Sequence, residues 1–347
     1  MTEYKISICT NIAKEGDLEG LKSAHENGWP WDEWTCAFSA LNGHLNCLKY
    51  AHKNGCPWDA WTYAFASKNG HLDCLKYVHK NENECLWNEW TTSYAAEYGH
   101  LDCLKYAHEN DCPWKEMTCW NAASNGHLDC LIYAHENGCP WNGWTCFYAA
   151  LNGHLNCLKY AHEHGCPWNE WTTSFTAQNG HLECLRYAHA NGCLWDTHTC
   201  SNAAEYGHLD CLKYAHENGC PWDELTCINA ALNGHLQCLI YAHENGCPWN
   251  ELTCEYAAKK IRWNCLAYVT SQGVSWRMVN PNDAERALRR WYYLRVIIRR
   301  IQKFKKLRLK SKIHRISDAW IEYSYAPIKG RPGYERAKQS FCDQQLV

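Results

Sequence analysis

The sequence predicts an all-α solenoid of about ten stacked helix-pair repeats, followed by a basic C-terminal helix. Three observations carry that prediction. The first is a period: a Gly opening a Gly-His-Leu triplet recurs at Gly43, Gly70, Gly99, Gly126, Gly153, Gly180, Gly207 and Gly234. Each step is 27 residues except Gly70 to Gly99, which is 29. Gly16, in Gly-Asp-Leu, is a degenerate earlier copy, and Ile261, in Ile-Arg-Trp-Asn-Cys-Leu, is a last copy without its Gly. A fixed period of this length marks stacked supersecondary units that share one continuous core. The second observation is that each unit carries start and stop signals for two helices. The third is a sharp change of charge near residue 280.

The elements follow in order from one copy, Trp31 to Trp58. Asp32 stands where a helix needs an N-cap, and the same slot holds Asp59, Asn88, Asn142, Asn169, Asp196, Asp223 and Asn250. These side chains accept from the first free amides of a helix; Lys115 is the exception. The first helix runs through Ala40 and stops at Asn42-Gly43, where Gly can turn left-handed without a steric penalty. The second helix carries Leu45, Leu48 and Ala51 at three-residue spacing, with Cys47 and Tyr50 beside them. That is an apolar stripe at helical period. Gly55 ends it, and Cys56-Pro57-Trp58 leads to the next cap. Neither helix is long enough to persist alone in water, so stacking supplies the stability. Small pairs such as Ala95-Ala96, Ala122-Ala123 and Ala149-Ala150 let successive layers approach closely. Glu82-Asn83-Glu84 lengthens one connector and removes its Gly, which implies a local bend.

The recurring pattern, two small residues, then Gly-His-Leu, then Lys and a closing Gly, resembles ankyrin repeats over about residues 4–276. The resemblance implies an ankyrin-like solenoid whose first helices line the concave side and bind a protein partner. The unit here is shorter than an ankyrin repeat and reads Trp-Thr-Cys where that family has Thr-Pro-Leu-His. The missing residues fall at the projecting β-finger, which is expected to be cut to a tight turn. Such compact, Cys/Trp-rich units are similar to those in ankyrin proteins of large DNA viruses and some protists.

Hydrophobic residues make up 46% of the 347 and aromatics 14%, enough to bury a core and unlike a disordered chain. The N-terminus has no apolar stretch of signal-peptide length, and no run is long enough to span a membrane. An intracellular, cytoplasmic or nuclear, monomer without an integral membrane segment is expected. The 25 Cys then act as reduced, buried thiols rather than a disulfide framework. Cys recurs in three lattice slots, represented by Cys36, Cys47 and Cys56, and His in two, represented by His44 and His52. No CxxC pair exists, so the spacing does not suit zinc. Buried thiols and hydrogen-bonded rings are the expected roles, with no cofactor. Trp58 and its equivalents are expected to pack over the connector. The second Trp row, at Trp34, Trp61, Trp90, Trp144 and Trp171, gives way to Met117, Leu225 and Leu252, which suggests packing. No phosphate loop, HExxH or nucleophile elbow occurs, and the Cys and His candidates are lattice positions, so no enzyme is expected.

Specificity is expected where the copies differ. Six residues before the Gly stand Ala37, Ala64, Ser93, Trp120, Phe147, Ser174, Ser201, Ile228 and Glu255. Two before it stand Leu41, Lys68, Glu97, Ser124, Leu151, Gln178, Glu205, Leu232 and Lys259. These slots are four apart and share a helix face. Phe38 and its equivalents, five before the Gly, vary as well. Phe38, Leu41, Lys68, Glu97, Trp120, Phe147, Leu151, Gln178, Glu205, Ile228 and Leu232 are thus the candidate partner-binding residues, provided they are exposed.

Residues 281–347 hold 17 basic and 6 acidic side chains, leaving 17 and 31 in residues 1–280. The chain therefore divides into a solenoid over 1–280, a basic amphipathic helix over 281–315 and a loose tail over 316–347. The helix presents Arg295, Arg299, Arg300, Lys303, Lys305, Lys306, Arg308 and Lys310 opposite an apolar stripe. Four readings fit it: a cap on the solenoid, a site for a calmodulin-like partner, contact with nucleic acid or nuclear import, and binding at a membrane surface. The function expected of the whole is a protein-interaction scaffold. The alternative is a nucleic-acid-binding or nuclear-targeted protein acting through this helix.

Overall fold

A computed structural model of the chain describes residues 8–81 and 87–274. Among the described residues there are twenty helices and no strand. The first helices of the ten pairs are Ile8–Glu15, Glu33–Leu41, Ala60–Lys68, Glu89–Glu97, Glu116–Ser124, Gly143–Leu151, Thr172–Gln178, Thr197–Tyr206, Glu224–Asn233 and Glu251–Lys259. Their partners are Leu18–Glu26, Leu45–Lys53, Leu72–Lys80, Leu101–Glu109, Leu128–Glu136, Leu155–Glu163, Leu182–Ala190, Leu209–Glu217, Leu236–Glu244 and Trp263–Ser271. This is the all-α solenoid of helix pairs that the period predicts. The bend expected at Glu82-Asn83-Glu84 and the elements expected beyond residue 280 lie outside the described residues.

The start signals act as read. The Asp59 carboxylate accepts from the Trp61 amide at 3.0 Å, Asn142 from Trp144 at 3.1 Å and Asp223 from Leu225 at 3.0 Å. Lys115 makes no such side-chain bond. The ends use two devices. Gly43 turns left-handed at φ +72° after the first helix. After the second helix, the Asn preceding the Gly folds back onto its own last turn, as Asn54 Nδ2 does onto the Tyr50 carbonyl at 2.8 Å. That bond occupies one of the carbonyls a helix end leaves free.

The described residues form two compact units, 8–81 and 87–203 with 210–221, and 204–209 with 222–274. In the first unit, neighbouring first helices run side by side in close contact, while each second helix packs mainly on its own first helix. The small pairs make this possible: Ala95, Ala96, Ala122, Ala123, Ala149 and Ala150 are wholly buried. Leu48, Leu75, Leu104, Leu131, Leu158 and Leu185 are wholly buried along the second helices, flanked by Cys47, Cys74, Cys103 and their equivalents. Each buried Leu contributes about 1.5–3 kcal/mol by removal from water. Leu45, expected in the same stripe, is only half-buried and packs at its edge. In the second unit the same lattice positions, Leu239, Ala242, Leu266 and Val269, form the core.

Candidate functional site

The variable positions separate by depth. In the slot six before the Gly, Phe147 is 6% exposed and Ile228 5%. Ala37, Ala64, Ser93, Ser174 and Ser201 in the same slot are also buried. Phe147 and Ile228 therefore do not line a surface, contrary to expectation. The slot faces the adjoining layer: the Phe147 ring lies 5.6 Å from Phe175 and 5.1 Å from Trp144. Trp120 stays half-buried, its ring 6.3 Å from Tyr148.

The slots two and five before the Gly stay at the surface. Leu41, Lys68, Glu97, Leu151 and Gln178 are half-buried, as are Phe38, Phe65, Tyr94, Tyr148 and Phe175. Glu205 and Leu232, in the second unit, are half-buried as well. Positions three apart share a helix face.

The second Trp row does not pack in the core. Trp61, Trp90, Trp144 and Trp171 are 36–43% exposed. Each stands four residues before the Phe or Tyr slot and so lies over it on the same face. Trp34 lies 6.0 Å from Phe38, Trp61 5.7 Å from Phe65, and Trp90 5.7 Å from Tyr94. Between layers, Phe38 lies 6.2 Å from Phe65, and the Trp61 and Trp90 indoles stack at 6.5 Å. The first helices of the first unit thus carry two groups of contacting rings, from Trp34 to Tyr98 and from Trp120 to Phe175, with Met117 and Asn121 between them. These separations suit offset and edge-to-face ring pairs. The sequence held one signal for this exposure: His198 occupies the Trp row in its own copy, and a polar ring there argues against a dry core.

Charge surrounds these rings. Lys68 Nζ stands 5.4 Å from the Tyr94 ring centre and 5.3 Å from that of Tyr98. Lys14 Nζ is 5.9 Å from Phe38. Lys115 Nζ pairs with Glu89 Oε1 at 2.7 Å, and its hydrogen bond holds the Glu89 carboxyl below its usual range.

The opposite elements show what the conserved-looking lattice residues do. The His52 ring stacks on Trp58 at 3.8 Å, and its Nδ1 shares a hydrogen bond with the Tyr77 hydroxyl of the following copy at 3.1 Å. His79 with Tyr106, His135 with Tyr160, His189 with Tyr214 and His243 with Tyr268 repeat it at 2.8–3.2 Å. Desolvation by burial pushes His52, His79, His135 and His189 below the usual histidine range. Lys49, Lys76, Lys105 and Lys159 lie 5.6–5.8 Å over the Tyr rings of this ladder. The other His row reaches backward: His44 Nε2 donates to the Lys14 carbonyl at 3.2 Å.

The thiols are donors. Cys56 Sγ donates to the Asp32 carbonyl at 3.2 Å, Cys139 to Lys115 at 3.3 Å and Cys166 to Asn142 at 3.1 Å. Burial raises the second-helix thiols, Cys74 to about 11 and Cys130 to about 12. Thiols raised by burial, such as Cys74 and Cys130, are poor nucleophiles and poor metal ligands. The basic residues Arg295, Arg299, Arg300, Lys303, Lys305, Lys306, Arg308 and Lys310 lie outside the described residues.

Two family models match the chain, ankyrin repeats (3 copies) over residues 92–170 and ankyrin repeats (many copies) over residues 200–243. Among solved structures, the crystal structure of the human ASB11 ankyrin repeat domain is 17% identical, at a TM-score of 0.41. That match covers 46% of this chain and 85% of that one. No curated protein matches.

Proposed function

We propose that this chain, which carries ankyrin repeats, is a non-catalytic protein-interaction module that takes a partner across the first-helix face of its first unit. The observation that carries the reading is the row of partly exposed rings, Trp61, Trp90, Trp144 and Trp171, above the Phe and Tyr slot. Trp and Tyr supply much of the energy at protein interfaces, because each buries a large apolar area with few rotatable bonds. A contiguous apolar patch on a monomer marks an interaction surface. The half-buried side chains Leu41, Lys68, Glu97, Leu151 and Gln178 flank the rings and differ between copies, as selectivity for one partner requires. The thiols, buried and hydrogen-bonded, suit a reducing intracellular compartment.

The test is capture from the native host cell by the full chain, with wild type compared to a Trp61→Ala/Trp90→Ala/Trp144→Ala variant. Loss of the captured partner with unchanged helical content supports the reading. Retention of the same partner by the variant refutes it.

A second reading rests on the 17 basic residues in 281–347. There, binding of nucleic acid or of a calmodulin-like partner would fall away when 285–315 are deleted. The nucleic-acid case would also weaken steeply with salt.

A further inference from the structure

We infer, building on the partner-docking reading above, that the rings of the first unit receive an extended, arginine-bearing segment of the partner. The chain's own lysines already show both contacts such a segment would make. Lys68 Nζ sits between two rings, 5.4 Å from Tyr94 and 5.3 Å from Tyr98, in the geometry of a cation held by aromatic faces. Lys115 Nζ bonds a carboxylate of the same helix face, Glu89, at 2.7 Å.

Beyond these, the face keeps unused capacity for positive charge. Glu33 and Glu116 open a first helix and Glu170 lies two residues before one; they directly precede Trp34, Met117 and Trp171. Among the described residues none of the three has an ion-pair partner. Of the indoles open to solvent, Trp171 directly follows Glu170, and Trp90 directly follows Glu89. Residues 1–280 carry 31 acidic side chains against 17 basic ones, so a cationic segment is also drawn in from a distance.

Arginine fits better than lysine. Its planar guanidinium stacks on an indole while its edge N–H groups remain free for a carboxylate. Register favours an extended chain. Packed helix layers lie about 8–10 Å apart, and a polyproline II segment rises about 9 Å over three residues. An arginine at every third position therefore meets one layer after another.

The test uses fluorescence anisotropy on the full chain. The probes are labelled peptides of four Arg-Pro-Leu units and matched peptides with Gln or Glu in place of Arg. The expected result is that the Arg peptide binds about tenfold or more tighter than the Gln peptide, and that the Glu peptide binds least. Trp61→Ala/Trp90→Ala and Glu116→Gln/Glu170→Gln should each weaken the Arg peptide by about tenfold, and added salt should weaken it further. Equal binding of Arg and Gln peptides, lost in the Trp variant, overturns the cationic assignment and leaves the docking face standing. Arg-peptide binding that ignores the Trp variant, or no binding by any peptide, also overturns the assignment. Partner capture then decides the docking reading separately.

Discussion

The ring of His71 occupies the space a β-carbon on Gly43 would take: such a carbon would stand 2.5 Å from His71 Nδ1. Gly43 also has φ +72°. Two independent constraints thus fall on one residue, one from its own backbone and one from the next copy. Gly55, with φ +84°, has nothing within 4 Å of its would-be β-carbon. Gly55→Ala is expected to destabilise by about 1 kcal/mol through backbone strain alone. Gly43→Ala is expected to lose about 2–3 kcal/mol, because the His71 ring must also move. Urea unfolding of the two variants separates the contributions; equal losses would eliminate the steric one.

Among the described residues, two that are not glycine turn left-handed: Asp111 has φ 65° and Ile261 φ 60°. A β-branched residue is the worse occupant of that region. Ile261 is largely exposed, so little burial is lost on its removal. Ile261→Gly should raise stability by about 1 kcal/mol, and Asp111→Gly by about half that, since Asp tolerates the conformation. A thermal shift downward for Ile261→Gly would contradict the strain assigned there.

The imidazoles of the lattice set an acid limit. Desolvation lowers the pKa of His52, His71, His79, His127, His135, His189 and His235. Their folded pKa values lie below the unfolded one, so the unfolded chain takes up protons first. Stability should be full above about pH 6.5 and fall as pH drops through the folded values. The thiols act in the opposite direction. Cys103 and Cys211 are raised to about 12 by burial. Their contribution is complete below about pH 8.5 and fades above it, as the unfolded chain ionises first. Denaturant midpoints across pH 5 to 10 should therefore form a plateau with two shoulders. A midpoint that rises on acidification to pH 5 would overturn the histidine half.

Cysteines in different slots should respond differently to the same substitution. Cys56 Sγ donates to the Asp32 carbonyl at 3.2 Å, and a hydroxyl can keep that bond. Cys56→Ser should change stability by less than about 1 kcal/mol. Cys130 lies among Leu131, Ala134 and neighbouring buried side chains, with its thiol raised by desolvation. Cys130→Ser is expected to lose about 2 kcal/mol by burying a hydroxyl in an apolar site. Calorimetric melting of the pair checks the order, and a larger loss at Cys56 would reverse the assignment.

The helix pairs were legible because their punctuation is local. Asp59, Asn142 and Asp223 cap within two residues of themselves, and Gly43 answers to its own φ. The faces were harder to read, because a first helix is buried on most sides. In Ala60–Lys68, Thr62, Tyr63, Ala64, Ala66 and Ser67 are all buried. Apolar character at Trp61 therefore says little about depth, and the exposed Trp row was read as packing. Variation misled in the opposite sense at Phe147 and Ile228. Both side chains are buried, and Phe147 meets Phe175 of the next layer, so variation there does not mark a surface. The link from His52 to Tyr77 spans 25 residues and could not be seen without the stack.

That link also bears on how such a chain changes length. Within the first unit, the His135 Nδ1 hydrogen bond goes to the Tyr of the following copy, and the His44 Nε2 hydrogen bond to a carbonyl of the preceding one. The same His-to-Tyr link recurs from His52, His79, His135, His162, His189 and His243. Excising or duplicating one such block of 27 residues therefore rejoins a His to a Tyr of the same kind at the new junction. Length thus changes by whole blocks, and a block such as that of Trp144 and Tyr148 brings its own pair of rings to the face.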